Sequence, residues 1–307
     1  MHGQKKKQKH SYNQGTRQHQ GIAILMVLVV IALIAGSAAT FSGQHRMAMA
    51  STRNLLQLGQ LQTHMLSGEL WAMSLIPQGP LHNSPMAEPN TMEFDLPIHL
   101  DGHVHGNISH VQGRFNINNL LANSETAATY QAVFLRLGQI IGLPDQLSQQ
   151  LVQAIQDGSQ TDTYGLVRNE ELLLIAGMDK KHLAKLTPHL SFLPPGTAIN
   201  INQAPALMLT ALDPVIDSAI ATNLVKARQA NPWQDNEDFF LTLNNQGVEL
   251  TPQQQQTINA TITTQCVYFL LDLQGRIGNL SKHVKALLHA NSEKKVSVLS
   301  RYGALHE

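Results

Sequence analysis

Gln20 to Phe41 reads QGIAILMVLVVIALIAGSAATF, and its reading decides the fold. Ile22 to Phe41 gives 20 residues without a charge, enough at about 1.5 Å of rise per residue to cross a hydrocarbon core roughly 30 Å thick. The stretch is a membrane span. Lys5, Lys6, Lys7, Lys9 and Arg17 precede it, and no acid appears before Glu69. Lys and Arg beside a span stay in the cytoplasm, so the leader is expected there, with the bulk of the chain across the inner membrane as a single-pass periplasmic domain. A basic tract also suits nucleic acid, but its place directly before a span favours a topological role. Two plainer readings share the stretch. A secretory signal peptide has the same basic and apolar regions, and Gly36-Ser37-Ala38 offers small residues for cleavage. A signal anchor needs no cleavage at all.

Working outward, no proline interrupts Gly43 to Ile76. Leu55, Leu58, Leu61, Met65, Leu66, Leu70 and Met73 recur at three- and four-residue spacing, the mark of an amphipathic helix. The simplest reading is one rod from Ile22 until Pro77 stops it, roughly 55 residues and about 80 Å long. A protein released by signal peptidase has no reason to carry a helix on directly from its apolar run.

Pro77 to Asn90 is rich in proline and turn residues and reads as a loop. Met92 to Leu100 and His103 to Val111 read as strands divided by the hairpin signal Asp101-Gly102. His99, His103, His105 and His110 invite a metal reading, with His103 and His105 on one strand face, yet no acid or cysteine completes a set in this chain of 15 histidines. Helices are expected at Ser124 to Gly142, with Ser124 as N-cap, and at Gln146 to Ile155. EELLLIAGM and DKKHLAKL form a further helical pair, with Gly177 as C-cap and Asp179 as N-cap. Phe192 to Gly196 reads as a linker, and Ile199 to Phe240 as several short helices. From Thr261 the pattern returns to β, with three strands turned at Gly275 and Asn291-Ser292. Cys266, the single cysteine, reads as a buried small hydrophobe.

A chain of 307 residues with zero formal net charge can bury more than one core. The expected fold is α+β: a long N-terminal helix packed on an antiparallel β-sheet, with a large α-helical insertion. The expected boundaries are 1–21 for the leader, 22–76 for the helix, 77–118 and 260–307 for the two β regions, and 119–259 for the insertion.

ININQAPALMLTAL, LVKARQA and NPWQDNEDF look like a helix-hairpin-helix module, whose glycine-containing turn elsewhere presents backbone N–H groups to phosphate. Here the turn is Leu212-Asp213-Pro214-Val215-Ile216-Asp217, without glycine and with two carboxylates. Residues 119–259 hold 7 Lys and Arg against 13 Asp and Glu, the wrong sign for neutralising phosphates. A scaffold for protein contacts is the preferred reading, with a membrane-tethered DNA-binding protein as the alternative. No nucleophile elbow or poised carboxylate pair appears, so no enzyme is expected.

The Gln20-Gly21 junction meeting an apolar helix at Ile22 resembles the site a prepilin peptidase cuts in pilin-like proteins. With it go GRFNINNL at 113–120, EELLLIAGM at 170–178, LTPHLSFLPPGTAININQAPALML at 186–209 and YFLLDLQGRIG at 268–278. On these motifs the chain resembles, nearly end to end, the general secretion pathway protein K family, the large minor pseudopilins of type II secretion. The resemblance implies a pilin-like fold with a helical insert resembling a SAM or helix-hairpin-helix domain, cleavage between Gly21 and Ile22, and N-methylation of Ile22. It also implies a place at the pseudopilus tip, starting assembly and assisting export across the outer membrane. The partners implied are the other minor pseudopilins of the tip complex, the major pseudopilin, the prepilin peptidase and the inner membrane, with no nucleic acid. Ordinary pilins carry glutamate at the fifth mature position; counted from Ile22, that position here is Met26. Members often carry an acid-rich calcium segment. Here Asp157 and Asp162 keep the outer carboxylates and are the calcium candidates, with Gln160 between and no acid pair after Gly165, where calcium favours six to eight oxygens, several of them charged. No other cofactor is expected.

Overall fold

The structure, a computed structural model, describes residues 15–76, 91–98, 102–121, 126–158 and 169–306. Its first element is one unbroken helix, α1 (Gly15–Leu75), which starts upstream of Ile22 because nothing in Thr16 to Gly21 forbids helix. The chain divides into two units, Met1–Gln60 and Leu61–Glu307. In the first, the apolar side chains of Ile22 to Phe41 stand exposed along the helix.

In the second unit the rest of α1 buries Leu61, Met65, Glu69 and Ala72, and Ile76 just after it is buried as well. The apolar stripe read from sequence is therefore partly corrected, since Leu66 and Leu70 face outward. Close approach, not apolar content alone, selects the face. A Cβ on Gly68 would meet Val104 Cγ1 at 3.0 Å.

That face packs on an antiparallel sheet. β1 (Thr91–Ile98) and β2 (Gly102–His110) form the hairpin expected from Asp101-Gly102, although Asp101 and His99 lie outside the described residues. The chain then leaves the sheet. Its excursion holds β3 (Phe115–Asn116), α2 (Ala127–Ile140), α3 (Asp145–Gly158), α4 (Lys180–Leu186), β4 (Leu190–Ser191), β5 (Ile199–Asn200), α5 (Ala206–Leu212), α6 (Ser218–Ala230), α7 (Asn236–Asn245), α8 (Pro252–Asn259) and β6 (Ile262–Thr263). It returns in β7 (Tyr268–Ile277), β8 (Leu280–Ala290) and β9 (Val296–His306). The sheet order is β1-β2-β7-β8-β9, and His110 pairs with Phe269. The two strands on either side of the excursion are thus direct neighbours.

Several local expectations are corrected. Gly275 is not a turn; it lies inside β7, where a Cβ would meet Met65 Sδ at 2.5 Å and Leu61 Cδ1 at 2.8 Å. The turn is Gly278-Asn279, with Gly278 at φ +58°, a two-residue hairpin with glycine first. EELLL is a 3-10 segment, Asn169–Leu174, instead of an α-helix, ended by Gly177 at φ +85°. Asp179 does cap α4, accepting from His182 N–H at 2.7 Å, and that bond holds its carboxyl below the usual range. Ser124 lies outside the described residues, and α2 begins after Thr126 without a side-chain cap. Ile262 and Thr263 pair with β5 instead of joining the main sheet.

One apolar cluster fills the excursion, from Phe115 to Ile262. Phe115 meets Phe134 with ring centres 5.4 Å apart, and Trp233 meets Phe239 edge-on at 5.1 Å. Within it the Asn-Ile-Asn of FNINNL and that of ININQAP build matching devices. Asn116 Oδ1 accepts from Asn118 N–H at 3.2 Å, and Asn200 Oδ1 from Asn202 N–H at 2.9 Å. The second Asn of each then reaches a distant backbone: Asn118 Nδ2 donates to Leu193 C=O at 2.9 Å, and Asn202 Nδ2 to Trp233 C=O at 2.8 Å. Each device starts from a short parallel pair, β3 with β4 and β5 with β6.

Candidate functional site

The junction residues sit on a bare helix. A Cβ added at Gly21 would meet nothing within 4 Å, while Ile22 and Met26 are 57% and 65% exposed. No carboxylate stands on α1 before Glu69. Glu69 is buried against the sheet, where its carboxylate accepts from Arg301 Nε at 2.7 Å and from a second Arg301 nitrogen at 2.6 Å. This two-point bond, which raises the Arg301 pKa, ties α1 to β9. No periodicity signals it, because the partners are 232 positions apart.

The base of the excursion is a buried polar clasp. His110 Nδ1 lies 3.1 Å from Cys266 Sγ and 2.8 Å from Gln203 Nε2. Burial pushes the His110 pKa down to about 4 and the Cys266 thiol up to about 12, so both are neutral at pH 7 and Cys266 is no nucleophile. The reading of Cys266 as a buried small hydrophobe thus needs its hydrogen bonds added. Beside it Gln112 accepts from Val267 N–H at 3.0 Å and donates to Ala198 C=O at 3.2 Å.

The hairpin turn between α5 and α6 has its backbone donors occupied from within. Asp213 accepts from Val215 N–H at 3.1 Å and Asp217 caps α6 by accepting from Ile220 N–H at 2.8 Å. Of the basic residues in the block, Arg136 donates to the carbonyls of Ala211 and Leu212, Arg228 to that of Ile201, and Lys185 to that of Gly142. Burial lowers the Arg136 pKa while nearby Asp213 raises it.

Among the described residues the histidines do not converge. His105 pairs with Asp95 at 2.9 Å on the outer sheet face, and His110 points to the clasp. Among the described residues no group of three or more His, Cys, Asp or Glu is placed to hold a metal. Asp157 Oδ1 accepts from Gln153 at 2.8 Å, and Asp162 lies outside the described residues.

Among the described residues one helix near the N-terminus is long and apolar enough to cross a membrane, and its later part packs on an antiparallel sheet. That is the pilin-like class, with a helical block let in between two sheet strands. Comparison with known proteins narrows the class. Two family models, each described as "Type II secretion system (T2SS), protein K", match residues 113–195 and 199–261, the first covering one Asn-Ile-Asn device and the second the other. Type II secretion system protein K of Pectobacterium carotovorum subsp. carotovorum is 25% identical over 93% of this chain and 97% of its own length. The protein of the same name from Pseudomonas aeruginosa is 23% identical over 93% of each. The GspK-GspI-GspJ complex from the enterotoxigenic Escherichia coli type 2 secretion system contains a chain of the same fold, with TM-score 0.66 and 18% identity over 82% of this chain and 99% of that one. The chain is a relative of type II secretion system protein K, the minor pseudopilin, along nearly its whole length.

Proposed function

We propose that the protein is a minor pseudopilin that caps the pseudopilus of a type II secretion system, starts its assembly and assists export across the outer membrane. It is no enzyme in this reading. The leader stays in the cytoplasm, the span crosses the inner membrane and the remainder is periplasmic. The prepilin peptidase cuts between Gly21 and Ile22 and Ile22 is N-methylated; its partners are the other minor pseudopilins and the major pseudopilin. The observation that carries the tip position is Met26. An unpaired charge is expensive inside a membrane, and this subunit offers no carboxylate to a neighbour's N-terminal amine. It can receive that pairing but not extend it, and an open head-to-tail array needs both faces on every member. The excursion supports the same place, because a block of roughly 155 residues between β2 and β7 is hard to fit among packed helices and unhindered at an end. Labelling the subunit in isolated pseudopili tests this: one label at one end is expected, and labels spaced along the shaft would refute it. Intact mass of the processed chain should begin at methylated Ile22, and Gly21→Leu should leave the leader uncut.

A further inference from the structure

Between the outer face of the sheet and the segment after α4 lies a crevice of about 210 Å³. It is smaller than the ~300–1,000 Å³ usual for drug-sized ligands, so it suits one side chain or one terminal residue. Leu270 and Leu287 give it an apolar wall, and Arg114, Asn169, Ser191 and Lys285 line it with polar groups. These polar groups are unusually short of partners. Among the described residues Ser191 is 4% exposed with no hydrogen bond to its hydroxyl, and the Asn169 side-chain oxygen is likewise buried and unbonded. Lys285 has Asp272 at 3.4 Å, which His283 shares at 2.6 Å. Arg114 has no ion pair or side-chain hydrogen bond among the described residues. Burial lowers the Arg114 pKa, and its charge adds to burial in lowering that of His189.

A half-buried guanidinium without a counter-charge among the described residues is costly, and its planar fork of donors matches a carboxylate. The orphaned Ser191 hydroxyl is a further donor. We propose that this crevice binds a polypeptide carboxylate borne on an apolar stem, a C-terminal residue or a glutamate side chain, with Arg114 and Ser191 as donors and Leu270 and Leu287 against the stem. The site is independent of where the subunit sits in the filament.

The test is saturation-transfer NMR on the full chain in detergent micelles, with N-acetyl-glycyl-leucine as probe beside its C-terminal amide. The free acid should bind and the amide at least about tenfold more weakly, the loss expected for a charge-assisted hydrogen bond. Arg114→Gln should weaken the acid to the same degree while circular dichroism stays native. Should that variant fail to fold, Ser191→Ala, which removes a hydroxyl without partners, carries the test: about threefold weaker binding supports the site and unchanged affinity overturns it. Equal binding of acid and amide would also overturn it. Displacement of the probe by equimolar inorganic phosphate would make this a general anion site, and displacement by equimolar acetate would remove the apolar stem; either result rejects the proposal.

Discussion

Substituting the two partners of the Glu69–Arg301 bond should give unequal losses of stability. Glu69 is 5% exposed, whereas the Arg301 side chain is 51% exposed. Arg301→Gln leaves a buried carboxylate without its cation, a change that costs about 3–5 kcal/mol in buried pairs. The half-exposed rim around Arg301 puts the loss at the low end, about 3 kcal/mol. Glu69→Gln instead releases Arg301 into water and keeps an amide to bond it, so the loss should be about 1 kcal/mol. Urea unfolding of the full chain in detergent, followed by circular dichroism and tryptophan fluorescence, measures both. Equal losses at pH 7, or a larger loss for Glu69→Gln, would show that burial of the carboxylate is not what sets the energy.

His110 has a folded pKa of about 4 against an ordinary 6.5; the unfolded chain takes its proton first, so stability should fall as pH drops from about 6.5 to 4 and then level off. The full effect is about 3 kcal/mol, and His110→Gln should flatten that part of the stability-pH curve. Gly113→Ala should cost at least about 2 kcal/mol in urea unfolding, because the new Cβ would stand 2.4 Å from the Gln203 carbonyl oxygen, a backbone wall that cannot swing aside as a side chain can. Asn202→Ala should cost about 2–4 kcal/mol by the same assay, since it strands both the N–H and the C=O of Trp233, each a buried unpaired group.

What is legible in the sequence is what is local. The charge-free run, the helix beyond it, the strand pairs and the Asp179 cap all follow from neighbours a few residues apart. What is not legible depends on approach between distant segments. Gly275 reads as a turn because glycine usually marks one in a strand pattern; the space taken by Leu61 and Met65 explains it instead. The outward turn of Leu66 and Leu70 reflects the small residues Gly68 and Ala72, a packing choice that an apolar stripe does not record. FNINNL and ININQAP are visible as motifs, but their use is not, since each second Asn finds its partner 75 and 31 positions away. A signal exists all the same: Asn-Ile-Asn appears twice, each time inside a hydrophobic run, where an unpaired amide would be too costly to keep.

The matching devices also bear on how an excursion this long leaves the sheet intact. Pairing His110 with Phe269 across a flexible loop of about 160 residues would cost roughly 4 kcal/mol in the logarithmic closure term alone. The excursion shortens that loop from inside. Ile199 and Asn200 pair with Ile262 and Thr263 on one side, and the Asn200 N–H donates to Gln112 C=O at 2.9 Å on the other. β5 therefore joins the segment leaving the sheet to the segment returning to it. Once the block has its own core, β2 and β7 meet as ends already held together, with only the few residues around Gln112 and Cys266 left to close. Those residues are shut away from water by the same meeting of block and sheet, which is why His110 and Cys266 are both held neutral and why their remaining polar atoms turn to Gln203, a residue of the second Asn-Ile-Asn turn.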